Sequence, residues 1–422
     1  MTSSSESEAL DRRAATLMAR IDELATFSEE ADCLTRRFLT EELVAANTRT
    51  AEWMVAAGMR TRVDAVGNLF GRYESDPPGG RALLLGSHLD TVRNAGRFDG
   101  PLGVLAAISV VERLHEASRR FPFAVEIVAF ADEEGVRFGS TALGSRAVAG
   151  LANETDLARK DETGLTVAAA MRGLGLDPHG FAGAALTDNP PLAYLELHIE
   201  QGPTLEEANR PLGCVSAITG SDRLLVTLTG EAGHAGTVPM DLRRDALAAF
   251  AECALALERR CRNAAIVGTV GYVANSPNAG NVIPGSVDFS LDIRSADDAA
   301  RAELIAALFE EMTAIARRRG VTLAKSNVGG SKVTPCAPWL QDQIRTAVRA
   351  VTGDCPTLAS GAGHDGIAMS AICDIGMMFI RCEKGISHNP AEAVALSDMA
   401  AALAALDRCV EMFRSPATSA LG

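Results

Sequence analysis

Five of the seven histidines fall in short stretches crowded with carboxylates and glycines. The stretches are Gly86-Ser-His-Leu-Asp-Thr91, Leu195-Glu-Leu-His-Ile-Glu-Gln-Gly202, Ala232-Gly-His-Ala-Gly236, Gly361-Ala-Gly-His-Asp-Gly366 and Gly385-Ile-Ser-His-Asn-Pro390. Two acid-rich turns, Arg97-Phe-Asp-Gly100 and Ala131-Asp-Glu-Glu-Gly135, belong beside them. Neutral imidazole and carboxylate together suit Zn or Mn, and flanking glycines let the backbone come close to a ligand. This pattern points to metal-dependent hydrolysis. His115 and His179 have no such company and read as surface residues.

Taken singly, each of these groups has a plainer meaning. His88 and Asp90 make an H-x-D pair that is a surface polar pair elsewhere, although a carboxylate so placed can fix the ring of a ligand histidine. Asp99 sits in a glycine-flanked turn, from which an exposed carboxylate could bridge two cations. Glu133 and Glu134 follow the apolar run 127–131. Neighbours on an extended turn point different ways, so one can bind metal while the other faces substrate as general base. His198 and His388 alone are polar caps. As a set, His88, Asp99, Glu134, His198 and His388 supply donors for two cations sharing one carboxylate and a water. Farther along, His234 lies between glycines, Asn281 in Gly280-Asn-Val-Ile-Pro-Gly285, and Arg294 at the end of an apolar alternation. There a guanidinium could clamp a carboxylate bidentately or pair with Asp292.

Elements must gather these groups. Residues 8–58 carry helical spacing with a break near Ser28. Strand and helix signals then alternate: strands at 81–87, 124–131 and 192–198, helices at 104–117 and 143–149. Such alternation predicts an α/β unit with a mostly parallel sheet flanked by helices. His88, residues 132–134 and His198 then fall at the strand ends where open α/β sheets hold their ligands. From about 217 the texture changes to strand 224–229, helix 242–260, strands 265–273 and 287–293, and helix 299–319. This is the order of a ferredoxin-like α+β unit. A helix at 339–351, a strand at 375–379 and a helix at 396–413 restore the first texture. The expected organisation is a catalytic domain of 1–216 and 331–422, interrupted by an inserted domain of 217–330. His388 can reach the other donors only if the two outer segments fold together.

The 422 residues exceed one ordinary core, which agrees with two domains. A net charge of −14 argues against nucleic acid or an anionic membrane as partner, so an anionic substrate must be held by a few local arginines. Nine scattered cysteines without a C-x-x-C pair, and a polar, acidic N-terminus without a leader pattern, make the cytoplasm the expected location.

The motifs Gly86–Thr91, Gly96-Arg-Phe-Asp-Gly100, Phe130-Ala-Asp-Glu-Glu-Gly135, His198-Ile-Glu-Gln-Gly202, Gly233-His-Ala-Gly236 and Gly385-Ile-Ser-His388 together resemble the dinuclear amidohydrolases related to aminoacylase and carboxypeptidase G. Within that group the chain is similar to the ureido-cleaving branch: allantoate amidohydrolase, N-carbamoyl-L-amino acid hydrolase, β-ureidopropionase and ureidoglycolate amidohydrolase. The resemblance implies two divalent ions, Zn or Mn, with His88 and His198 on one, Glu134 and His388 on the other, and Asp99 bridging. It implies Glu133 as general base, with Asp90 in support. Gln201, Asn281, Arg294 and the backbone around Gly363 would hold substrate. His234 would steady the oxyanion in a second subunit's site, which implies a homodimer through the inserted domain, a domain that also closes over substrate as a lid. The segments Met378-Phe-Ile-Arg-Cys382 and Thr237-Val-Pro-Met240 look like allantoate enzymes. Arg137-Phe-Gly-Ser140 and Leu143-Gly-Ser-Arg146 also suit carbamoyl-amino-acid and ureidoglycolate hydrolases. A peptidase of the same superfamily is disfavoured by His198, where related peptidases usually carry an acid. A binding protein without catalysis is disfavoured by Glu133.

Overall fold

Three strands, Ala82–His88, Ala124–Phe130 and Ala193–Ile199, are buried at every position in the computed structural model, which describes residues 4–264 and 266–416. Strands without an exposed face belong at the middle of a sheet covered on both sides. They pair in parallel, with Leu85 between Ile127 and Leu195. Ile375–Ile380, equally buried, continues the parallel sheet beside Ala193–Ile199 and sets Phe379 opposite His198. The two outer segments of the chain therefore share one sheet.

The margins of this 9-stranded sheet are antiparallel. Leu69–Tyr73 lies on Ala124–Phe130 with Arg60–Val63 outside it, and Leu212–Ile218 lies on Ile375–Ile380. Sequence patterning misses Arg60–Val63, which is short and largely solvated, and Leu69–Tyr73, which is short, and it misses the longer Leu212–Ile218 as well. Helices Ser4–Ala25, Glu41–Ala56, Pro101–Glu116, Pro338–Thr352 and Leu396–Glu411 flank the sheet. Pro101–Glu116 seats closely because Gly103 has no side chain; a Cβ there would meet the Leu197 carbonyl oxygen at 2.3 Å. That contact holds the start of the helix, and the turn before it, against the ends of the central strands.

The chain forms two compact units, one of residues up to Ser216 with those from Pro335 onward, the other Ala217–Thr334. The second unit is an antiparallel sheet ordered Val273–Ser276, Ser286–Ser295, Gly220–Thr229, Thr322–Ser331. Strict alternation along Ser286–Ser295 buries Val287, Phe289, Leu291 and Ile293 on one face, and Ala246–Ala264 and Asp298–Arg318 share that core. The order is ferredoxin-like. The first of these helices starts at Ala246 rather than 242, because Asp245 Oδ1 accepts the N–H groups of Leu247 (2.9 Å) and Ala248 (3.0 Å) as an N-cap. The strand expected at 265–273 is two short ones, Val267–Thr269 and Val273–Ser276, both on Ser286–Ser295; Ala265 lies outside the described residues. Among the described residues no helix is long and apolar enough to cross a membrane.

Candidate metal centre

His88 ends its strand, His198 is next to last in its own, and Glu133 and Glu134 lie in the turn that follows Phe130, after Ala131 and Asp132. Asp99 occupies the turn before Pro101, and His388 the loop after Ile380. All six positions thus lie at the C-terminal edge of the parallel strands. Asp99 is the centre of the group, and it is buried (4% exposed) rather than displayed on an open turn. The turn is sunk because Gly96 and Gly100 leave room for neighbours. A Cβ at Gly100 would lie 2.6 Å from the His88 ring, and one at Gly96 would lie 2.3 Å from the Glu392 carboxyl carbon.

The two oxygens of Asp99 face different partners. Oδ1 is 3.1 Å from His198 Nε2 and 3.9 Å from His88 Nε2. Oδ2 is 3.2 Å from His388 Nε2, which in turn lies 3.6 Å from Glu134 Oε1. Glu133 Oε2 stands 4.0 Å from His88 Nε2. Two donor sets, His88–Asp99–His198 and Asp99–Glu134–His388, each gather within 4.8 Å and share Asp99. His88–Glu133–Glu134 and Glu196–His198–His364 also gather within that distance.

Hydrogen bonding shows what this arrangement wants. His88 Nδ1 is 2.9 Å from the Asp90 carbonyl and His198 Nδ1 is 2.9 Å from the Ile199 carbonyl. A carbonyl only accepts, so each Nδ1 carries a hydrogen and each ring turns its Nε2 toward Asp99. A lone pair facing a carboxylate is repulsive unless positive charge stands between them. The residues fit divalent cations, and the mixed nitrogen and oxygen set suits Zn or Mn. Burial pushes the Asp99 carboxyl up, but hydrogen bonds from His198 and His388 outweigh it and hold the group well below the usual range. Burial, then the adjacent Glu134 carboxylate, push Glu133 well above it.

Asp90 acts differently from the expectation. The His88 ring is held by the Asp90 main-chain carbonyl, while its carboxylate accepts the N–H groups of Glu133 (3.2 Å) and Glu134 (3.1 Å). The carboxylate therefore fixes the acidic turn. Gln201 Nε2 donates to Asp99 Oδ2 at 2.7 Å and to Ser387 Oγ at 3.1 Å. Ser387, Glu392, Glu196, His364 and Asp365 surround the donors, although the sequence assigns none of them a role. Only the neighbourhood of Ser387 to His388, and the His-Asp pair at 364–365, gave a local signal.

Residues 84–412 match peptidase family M20/M25/M40. The chain belongs to that family. Among M20/M25/M40 relatives, allantoate deiminase 1 of Glycine max is 39% identical, over 92% of this chain and 87% of that protein. An N-carbamoyl-L-amino-acid amidohydrolase of Pseudomonas sp. (strain NS671) is 38% identical, over 91% of this chain and 94% of its own. A crystal structure of an amidase of the hydantoinase/carbamoylase family from Burkholderia multivorans superposes with a TM-score of 0.88 at 31% identity, over 94% of this chain and 96% of that one. This M20/M25/M40 member is a hydrolase of C–N bonds.

The second unit of this family member brings His234 and Asn281 together. Gly233–His234 pairs with Val282–Ile283, so that His234 lies opposite Val282, and the Asn281 carbonyl accepts the Ala235 N–H at 3.0 Å. Both side-chain positions are exposed. Arg294 sits at the other end of Ser286–Ser295, and its guanidinium grips Asp292 bidentately at 2.9 and 3.0 Å. Gly363 is exposed, and a Cβ there would make ordinary contact with Ile367 Cδ1 at 3.9 Å.

Segments that resembled particular substrate branches are mostly structural. Met378, Phe379 and Ile380 are core residues, and Arg381 is bound bidentately to Asp398 at 2.8 and 3.0 Å. Arg146 likewise grips Asp156, and Arg137 ties Asp161 to the carbonyls of Phe38 and Leu39. Thr237-Val-Pro-Met240 is the one that lies in the open, with Met240 77% exposed.

Proposed function

We propose that His88, His198 and Asp99 hold one divalent cation, that Glu134, His388 and Asp99 hold a second, and that the enzyme hydrolyses the ureido C–N bond of a small carboxylate, allantoate first. The observation that carries this is Asp99, with one oxygen toward each donor set. Such cations, Zn or Mn, lower the pKa of water and polarise a carbonyl. Glu133 then takes the proton of the attacking water as oxygen adds to the ureido carbon. It returns the proton to the leaving nitrogen as the C–N bond breaks, and the carbamate fragment decomposes to ammonia and carbon dioxide. The allantoate deiminase likeness supports allantoate; the carbamoyl-amino-acid likeness, at similar identity, supports N-carbamoyl-L-amino acids as the second reading. Nine free thiols support a reducing, cytoplasmic setting. Ammonia release from metal-loaded enzyme is the test, with allantoate, ureidoglycolate and N-carbamoyl-L-amino acids side by side. Turnover is expected with allantoate; release from the carbamoyl amino acids alone would reverse the assignment.

His234 is proposed as an oxyanion donor. Its Nδ1 accepts the Gly236 N–H at 3.0 Å, so the neutral ring carries its hydrogen on Nε2 and offers it outward. Arg294, oriented by Asp292, is proposed to meet the substrate carboxylate, with Asn281 and the Gly363 backbone as further polar contacts. His234 and Arg294 are too far apart to serve one small substrate from the same copy. Arg294 pairs with Ser221 and Ser286 with Thr229, beyond which the chain runs on to His234. At about 3.3 Å per strand residue, the span from Ser221 to Thr229 alone is roughly 26 Å. A homodimer through the second unit, each copy lending His234 and Asn281 to its partner's centre, resolves the distance and leaves the second unit free to act as a lid. Glu133→Gln and His234→Ala proteins, each inactive, are then expected to regain roughly a quarter of wild-type activity when unfolded and refolded as a mixture, since half the dimers carry one intact site. No recovery in mixtures shown to contain heterodimers would place His234 in its own subunit's site.

A further inference from the structure

The 385–392 loop carries more than the His388 ring. Glu392 is buried (3% exposed), and its Oε1 accepts two main-chain N–H groups, from Phe98 at 2.7 Å and Asp99 at 3.1 Å. Its Oε2 lies 3.1 Å from Ser387 Oγ, which lies 2.9 Å from Asp99 Oδ2. Gln201 Nε2 closes the group, donating to that same Asp99 oxygen and to Ser387. One carboxylate therefore grips the Asp99 turn through the backbone, the Asp99 carboxylate through Ser387, and the residue before His388, across almost 300 residues of sequence.

Two features show that this placement is constrained. Gly96 must lack a side chain for Glu392 to occupy its position. Lys384, Gly385 and His388 all adopt positive φ, at 55°, 64° and 53°. Non-glycine residues hold that conformation only where the surroundings over-determine it. The bonds of Ser387 and Glu392 supply that restraint on the His388 side.

We propose that Glu392 is a positioning residue for the metal centre: through Ser387 and the 97–99 backbone it sets the distance between Asp99 and His388, and so the affinity of the Asp99–Glu134–His388 cation. This rests on the metal-centre reading above. Its arm of the test is separate, because the wild-type chain is titrated in parallel.

The experiment titrates chelator-stripped protein with Zn, or with Mn, against a competing chelator, for wild type, Glu392→Ala, Glu392→Gln and Ser387→Ala. Wild type is expected to bind two equivalents. Glu392→Ala is expected to bind the weaker one ten- to a hundredfold less tightly, the usual effect of losing a group that orients a ligand. Gln keeps the acceptor for both N–H groups and gains a donor toward Ser387 Oγ, so Glu392→Gln is expected to restore most of that affinity; a merely structural role would not predict this rescue. Ser387→Ala, which leaves the backbone clamp intact, is expected to fall between them and stands in if Glu392→Ala does not fold. Two equivalents at wild-type affinity in Glu392→Ala, or in Ser387→Ala where that variant stands in, would overturn the proposal. Failure of wild type to bind any metal would overturn the reading beneath it.

Discussion

Replacing Glu133 by Gln is expected to lower kcat by about three orders of magnitude while bound metal and substrate affinity stay near wild type, within the range attributed to a general base. The prediction follows from how the side chain is held. Its main-chain N–H is fixed on Asp90 Oδ1, a bond that glutamine keeps, and its Oε2 reaches the centre beside His88. Gln preserves volume and reach but cannot accept and return a proton. Glu134 is no substitute: its N–H is on the other Asp90 oxygen and its carboxylate faces His388. Asp90→Asn, which keeps one acceptor and places an NH2 against one of the two N–H groups, should weaken both glutamates together. Ammonia release gives kcat, and calorimetry with substrate on the metal-loaded variant gives Kd. A variant keeping more than about a tenth of wild-type kcat would remove Glu133 from the proton path.

Sequence carried the architecture through two periodicities and a geographic rule. The mostly apolar runs ending in His88 and His198 mark central strands, and the apolar alternation 287–293 marks a half-covered one. Donors at strand ends then fall on one edge whatever the register. What was hidden depends on tertiary contacts that leave no local trace. Nothing in Gly385-Ile-Ser-His-Asn-Pro390 announces Glu392, because its two N–H partners come from residues 98 and 99. Nor does the sequence show that the Gln201 amide reaches Asp99. The segment around Arg381 looks like a substrate-branch marker, yet Asp398, 17 residues on, takes two of the three guanidinium nitrogens. Arg60–Val63 escaped for the opposite reason: it has too little buried surface to leave a pattern.

Asp99→Asn is expected to abolish activity and to disturb both cations at once, whereas His388→Ala should disturb one. Each Asp99 oxygen serves a different donor set, so no other single residue is common to both. Asparagine keeps one oxygen and must place its NH2 either toward the His88 and His198 nitrogens or toward His388, Ser387 and Gln201. On the first side it confronts the two Nε2 atoms and excludes a cation. On the second it confronts the donors of Gln201 and Ser387, both of which already give hydrogens to this carboxylate. Either orientation breaks one set and removes the shared negative charge from the other. Metal binding stabilises the folded state by mass action, about 2.7 kcal/mol per site at a hundredfold excess over Kd. Heat denaturation with and without Zn should therefore show a large upward shift for wild type, a smaller one for His388→Ala, and almost none for Asp99→Asn. If Asp99→Asn showed the wild-type shift and two bound equivalents, the carboxylate would not be the bridge, and the two donor sets would have to act independently of it.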